Sequence, residues 1–222
     1  MKRPQQQLDF SRLPSRAATL DLVGGSLALD FTNTSSGRGT PSHQEHLRDF
    51  ETLVQWVEHA RVVTPPNCLY FREQATRRPK RAAAIFERAL AVRELIWRIG
   101  QTLAERRTIS EPLRDELVAV HAKSLAFAEI KSRDEAFIWA WNPRRDLEAA
   151  ILGPITLSAL SLLMEKDLSR TKRCEGKACG WLFFDATKNK SRRWCEMRVC
   201  GNRAKVRAAR QRKRIKETQA AS

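Results

Sequence analysis

Four cysteines near the C-terminus constrain this chain more than any other feature. Four residues separate Cys174 from Cys179, four separate Cys195 from Cys200, and fifteen lie between the pairs. Each pair fits on one tight turn, and a loop of that length brings the second pair back to the first. A tetrahedral zinc site asks for this arrangement, with four thiolates closing the coordination sphere. Two disulfides would suit a secreted chain. Residues 1–23, however, are mixed polar and charged, with Pro4 and Pro14 and no apolar stretch of the signal-peptide kind. A redox or iron–sulfur role is the other alternative for soft thiolate ligands. Cys68 has no partner in sequence and reads as a small buried apolar residue.

The cysteines lie in a cationic segment. The chain has 222 residues and a net charge of +16. Residues 169–222 hold 17 of the 41 basic residues and 4 of the 25 acidic ones, a net +13 that leaves +3 for all the rest. This asymmetry separates a nearly neutral body from a basic terminal module, whose preferred partner is a polyanion. The most apolar run, 149–164, is broken by Pro154, Thr156, Ser158 and Ser161 and falls short of a bilayer span. It reads as a buried helix, and the expected setting is cytoplasmic, without a membrane partner.

Along the chain, residues 1–19 read as a flexible arm and 20–168 as a helical domain. Leu27, Leu29 and Phe31 alternate with Ala28 and Asp30, which predicts a short strand after Gly24-Gly25. Ser42 with Glu45 three residues on predicts a capping box and a first helix carrying Leu47, Phe50, Val54 and Val57; Thr64-Pro65-Pro66-Asn67 ends that region. Ile85, Ala89, Val92, Ile96, Ile99 and Leu103 form one apolar stripe, predicting a helix over 80–107. A further helix starts at Ser110. A β-hairpin is expected over 125–141, where Phe137, Trp139 and Trp141 alternate, and a helix over 144–167 that Pro154 kinks or interrupts.

In the terminal module, Trp181-Leu182-Phe183-Phe184 predicts a strand and Asp185–Asn189 a turn. From about Met197 or Gly201 to Lys216 the chain is nearly free of helix breakers, and Arg203, Arg207, Arg210 and Arg214 stripe one helical face. So small a unit buries little surface, so metal binding is expected to supply most of its folding energy.

The segment 174–207 resembles the CGNR zinc finger. It carries that tetrapeptide as Cys200-Gly201-Asn202-Arg203, flanked by Cys179-Gly180-Trp181-Leu182-Phe183, Asp185 and Arg192-Arg193-Trp194-Cys195. Gly24-Gly25, Leu29-Asp30-Phe31, Asn33-Thr34 and the region 53–56 resemble the start of the ABATE domain that precedes this finger in stress-induced transcription regulators. The resemblance implies a bacterial DNA-binding regulator. Taken together, the expectation is a mainly α (α+β) chain: a multihelical N-terminal domain with a few short strands, then a treble-clef-like zinc finger over 169–222 with a basic C-terminal helix.

Arg192, Arg193, Arg198, Arg203, Lys205, Arg207 and Arg210 are candidate phosphate or base contacts, against the alternative of a solvated cationic face. Asn202 is a candidate adenine reader or a cap after Gly201. Trp181 and Trp194 stack on bases or pack across the zinc hairpin. Asp30 and Asn33, beside a loop, are candidates for a small-molecule pocket, against a role in pinning the turn. His43 and His46, three apart on the expected first helix, are a weak metal pair. No phosphate loop, nucleophile elbow or metalloprotease signature occurs. The leading expectation is therefore a zinc-containing DNA-binding regulator whose N-terminal domain senses a ligand or dimerises. The alternatives are an RNA-binding or ribosome-associated protein, since charge alone does not separate the two polyanions, and an enzyme with its site around Asp30 and Asn33.

Overall fold

In a computed structural model, residues 15–220 are described, and among them stand seven α-helices and three two-stranded antiparallel sheets. Of the arm expected over 1–19, residues 1–14 lie outside the described part. Ala17–Thr19 is a short 3-10 turn whose fully buried Ala17 packs on the second helix.

The expected strand at 27–31 is helix α1 (Leu27–Thr32). Ser26 is extended and its hydroxyl accepts the Leu29 N–H at 3.3 Å, an N-cap that starts a helix where alternation suggests a strand. Packed against α4, α6 and the finger, α1 buries Ala28, Leu29, Phe31 and Thr32 and leaves Leu27 and Asp30 half-buried, so its short apolar pattern does not reveal a helical period. Strands β1 (Ser35–Ser36) and β2 (Gln44–Glu45) form a small hairpin.

The helix expected from Ser42 begins eight residues later, as α2 (Phe50–His59), with Asp49 and Thr52 making the capping box. Glu45 is drawn elsewhere: its carboxylate takes two bonds from buried Arg93, at 2.7 and 2.6 Å. Helix α3 (Pro65–Arg77) stands where the two prolines read as an ending. Extended Thr64 precedes it, and Pro65 and Pro66 occupy its first turn, where a missing N–H costs nothing. Cys68 is buried in α3, as expected, and burial pushes its thiol up to about 11.

Helix α4 (Pro79–Ala104) carries the anticipated stripe, and α5 (Glu111–Leu125) follows with Pro112 in its first turn. The anticipated hairpin is β3 (Ala128–Arg133) against β4 (Ala136–Trp141), paired from Arg133–Ala136 to Ala128–Trp141. Helix α6 (Leu147–Glu165) runs through Pro154 without interruption. By length and composition its stretch Leu147–Met164 would suffice to cross a membrane, contrary to the reading of that run as too short. Its apolarity has a core explanation, because Ile151, Leu152 and Ile155 are buried and the helix packs on α1 and α5.

The terminal module opens with β5 (Thr171–Arg173), which pairs with β6 (Leu182–Phe184). The strand expected at 181–184 thus pairs backward, across the first cysteine pair, rather than across the turn at 185–189. A π-helical turn at Met197–Gly201 leads into α7 (Asn202–Ala220).

This module is stitched to the helical part. Asn33 Nδ2 donates to the Leu182 carbonyl at 2.9 Å, and Leu182 N–H donates back to Asn33 Oδ1 at 2.9 Å. Phe184 N–H donates to the Gly24 carbonyl at 2.7 Å, and Gly37 N–H to the Cys179 carbonyl at 2.6 Å. Leu29, Leu162 and Leu182 form one buried cluster across the seam. Gly100 of α4 permits that approach: a Cβ there would come within 2.6 Å of Leu182 Cδ1.

Candidate metal centre and nucleic-acid surface

Strand β5 delivers Cys174 into a knuckle that returns as β6. Cys174 N–H donates to the Trp181 carbonyl at 2.8 Å and Cys179 N–H to the Gly176 carbonyl at 3.0 Å, closing the turn on both sides. Gly176 N–H also points at Cys174 Sγ, 3.4 Å away. A side chain at 176 would crowd the thiols, with its Cβ 3.2 Å from Cys200 Sγ and 3.4 Å from Cys174 Sγ. The second pair brackets the start of the π turn, with Cys195 two residues before it and Cys200 within it. Cys200 N–H bonds the Glu196 carbonyl at 3.0 Å, which fixes Cys195 and Cys200 at the entrance to α7.

All four sulfur atoms lie within 4.8 Å of one another, and no other comparable group of His, Cys, Asp and Glu occurs among the described residues. Cys195 Sγ is 3.6 Å from both Cys179 Sγ and Cys200 Sγ. A disulfide needs about 2.05 Å, so these are free thiols. A tetrahedron with metal–sulfur bonds of about 2.3 Å has sulfur–sulfur edges of about 3.75 Å. The donor set and spacing therefore fit a closed four-thiolate metal site. Two ligands come from a hairpin knuckle and two from the start of a helix, which is the treble-clef-like plan.

The loop between the pairs is organised by Asp185, which sequence patterning marks only as a turn residue. It is fully buried and accepts from Lys172 Nζ at 2.8 Å, Thr187 Oγ1 at 2.6 Å and the backbone N–H groups of Thr187 and Arg192. Burial acts to raise its pKa, yet the Lys172 charge and these donors hold the carboxyl well below the usual range. Buried Asp185 keeps the Cys195 arm folded against β5.

The candidate nucleic-acid contacts divide by position. Arg192 is turned inward: its guanidinium donates to the carbonyls of Trp194 (3.0 Å), Val23 (2.9 Å) and Cys195, and lies over the Phe183 ring. It braces the module, contrary to a surface role. Arg193 is exposed but pairs with Glu175 through both carboxylate oxygens and lies over Trp194. Arg198, Arg203, Lys205, Arg207 and Arg210 are all exposed. Arg198, Asn202, Arg203, Arg207 and Arg210 line one shallow groove along α7, and Lys205 stands outside it. Asn202 Nδ2 donates back to the Arg198 carbonyl at 2.9 Å, so its amide ties the π turn to the helix. The side chain of Arg214, fourth on the expected stripe, lies outside the described part. Trp181 and Trp194 are half-buried and pack on the cysteine cluster.

Asp30 and Asn33 are both engaged at the seam. Asp30 accepts the Gly24 N–H at 2.7 Å; burial pushes its carboxyl up to about 6, against the pull of that bond and of the Arg192 charge. Asn33 uses both ends of its amide on Leu182. His43 and His46 are not on a helix: their Nε2 atoms meet Ser35 Oγ at 2.9 Å and Ser36 Oγ at 3.3 Å, pinning the β1–β2 hairpin.

Against known families, residues 170–213 match the CGNR zinc finger, and residues 25–166 match ABATE, described as "Putative stress-induced transcription regulator". No curated protein matches the chain.

Proposed function

The chain belongs to the ABATE family, with a CGNR zinc finger after the ABATE domain, and from that premise we propose that it is a DNA-binding transcription regulator of the bacterial cytoplasm. The four thiolates hold one zinc ion, because an all-cysteine closed site suits its tetrahedral preference and lack of redox chemistry. The metal is structural: it fixes the π turn from which α7 leaves. Helix α7 then contacts DNA, with Arg198, Arg203, Arg207 and Arg210 on phosphates or guanine edges. Asn202, bonded back to the turn, acts as a positioning residue.

The observation that carries this reading is the exposed arginine groove of α7, rooted directly on the cysteine cluster, in the part of the chain that holds +13 of the net +16. The helical domain carries little net charge and serves as the regulatory body, binding a ligand or a second copy. This reading is of a binding protein and includes no catalytic step.

Competition binding tests it. Labelled genomic duplexes recovered with the purified protein at moderate salt are challenged with unlabelled duplex and with structured RNA. The reading expects specific duplex to compete best; structured RNA competing better would transfer the protein to the RNA-binding class.

A further inference from the structure

A cleft of about 720 Å³ runs from the β1–β2 end of the helical domain to the cysteine cluster, with Cys179, Cys195 and Cys200 in its lining, so it reaches the metal site at one end. Its size is that of a small-molecule site. Four cationic residues line it from both sides of the seam: Arg16 from the helical domain, and Lys177, Arg203 and Arg207 from the finger. Asp21, 3.9 Å from Arg16, and Glu196 are the only acidic residues there among the described residues, so the described lining is net positive. Trp181, Ala178 and Val199 supply an apolar wall.

Two lining residues carry a buried polar atom with no hydrogen-bond partner among the described residues: His46 Nδ1 and Trp181 Nε1. His46 is 2% exposed, and its other ring nitrogen is engaged by Ser36. Burial, helped by the Arg16 charge, brings the imidazole down to about 4, so it is neutral at pH 7. An indole N–H only donates. Both atoms are closed off from solvent, so the polar contacts of a guest fall to the exposed arginines of the lining.

We propose that this cleft binds a small aromatic carboxylate, the carboxylate held by Arg16 with Arg207 and the ring lying against Trp181 and Val199. Guanidinium matches a carboxylate in a two-point fork, and the apolar wall favours a ring over a bare anion. Arg203 and Arg207 also line the groove of α7. Occupancy therefore withdraws Arg207 from DNA and lowers DNA affinity, with the reciprocal effect of DNA on the carboxylate. This coupling rests on the DNA-binding reading; the site itself does not.

The test is calorimetric titration of the zinc-loaded full chain with benzoate, benzamide and inorganic phosphate. Benzoate is expected to bind saturably, with benzamide and phosphate each weaker by about tenfold or more. Arg16→Gln and Arg207→Gln should each weaken benzoate about tenfold. Benzoate near its wild-type Kd should weaken duplex binding by the wild-type chain and have a clearly smaller effect on Arg16→Gln. Phosphate binding as well as benzoate, or benzoate binding equally to wild type and Arg16→Gln, would overturn the site. Normal DNA binding without benzoate binding overturns the cleft proposal alone. Benzoate binding through Arg16 in a chain with no DNA affinity keeps the site and overturns both the coupling and the proposed function.

Discussion

The side chain of Asn33 is bonded to the backbone of Leu182 as a neighbouring strand would be, donating to its carbonyl and accepting its N–H, each at 2.9 Å. Both partners are buried, one in the helical domain and one in the finger. The finger therefore does not hang from a linker; its second strand is completed by a side chain 149 residues away.

Replacing Asn33 by Ala would leave two buried backbone groups of Leu182 unpaired, at a cost of roughly 2–4 kcal/mol. Urea denaturation should show that loss, and zinc should leave the variant faster in a chelator assay. A loss below about 0.5 kcal/mol would mean that water replaces the amide and the seam contributes little.

Zinc should be present at one ion per chain and be lost from Cys174→Ser and Cys200→Ser. Metal loss releases the π turn and α7, while α1 to α6 keep their core. Circular dichroism should retain most of its helical signal, with a lowered melting temperature because the Leu182 seam slackens. Full metal content in either variant would contradict the ligand assignment.

Asp30 makes stability depend on pH. Its carboxyl titrates at about 6 in the fold against 3.8 ordinarily, because burial disfavours the charge. The folded state thus holds this proton more tightly than the unfolded chain. The associated stability is fully present below about pH 4 and is lost as pH rises through about 6. Asp30→Asn keeps the acceptor for Gly24 N–H without the charge. Wild type should lose on the order of 2–3 kcal/mol relative to this variant between pH 4 and pH 7. Parallel stability curves across that range would show that Asp30 is solvated.

The parts legible from sequence are those with local causes. The two cysteine pairs announce their turns by spacing, the stripe from Ile85 to Leu103 announces α4, and the basic run announces α7. The misread parts have distant causes. Ser42 and Glu45 have the spacing of a capping box, but Arg93 claims the Glu45 carboxylate, and the cap forms at Asp49 instead. Alternation at 27–31 describes equally a six-residue helix that buries four of its residues. Pro65-Pro66 looks like an ending because proline marks both boundaries of helices. Asp30 and Asn33 stand out as polar residues in an apolar stretch, but their partners, Gly24 and Leu182, appear only once the chain is folded. Arg192 belongs to the same charge run as its neighbours, and only the carbonyls around it separate a brace from a contact.

The central claim is that α7 carries DNA affinity. Its most direct test is the salt dependence of duplex binding by the full chain and by a triple variant, Arg203→Gln, Arg207→Gln and Arg210→Gln. These side chains are exposed on α7, so the variant should fold and keep its zinc. Each phosphate contact contributes about 0.9 to the slope of log affinity against log salt. The account predicts a wild-type slope reduced by about 2–3 in the variant, with affinity at moderate salt falling at least about a hundredfold. An unchanged slope and affinity in a folded, zinc-loaded variant would contradict it, placing DNA elsewhere or making the finger a protein-contact element.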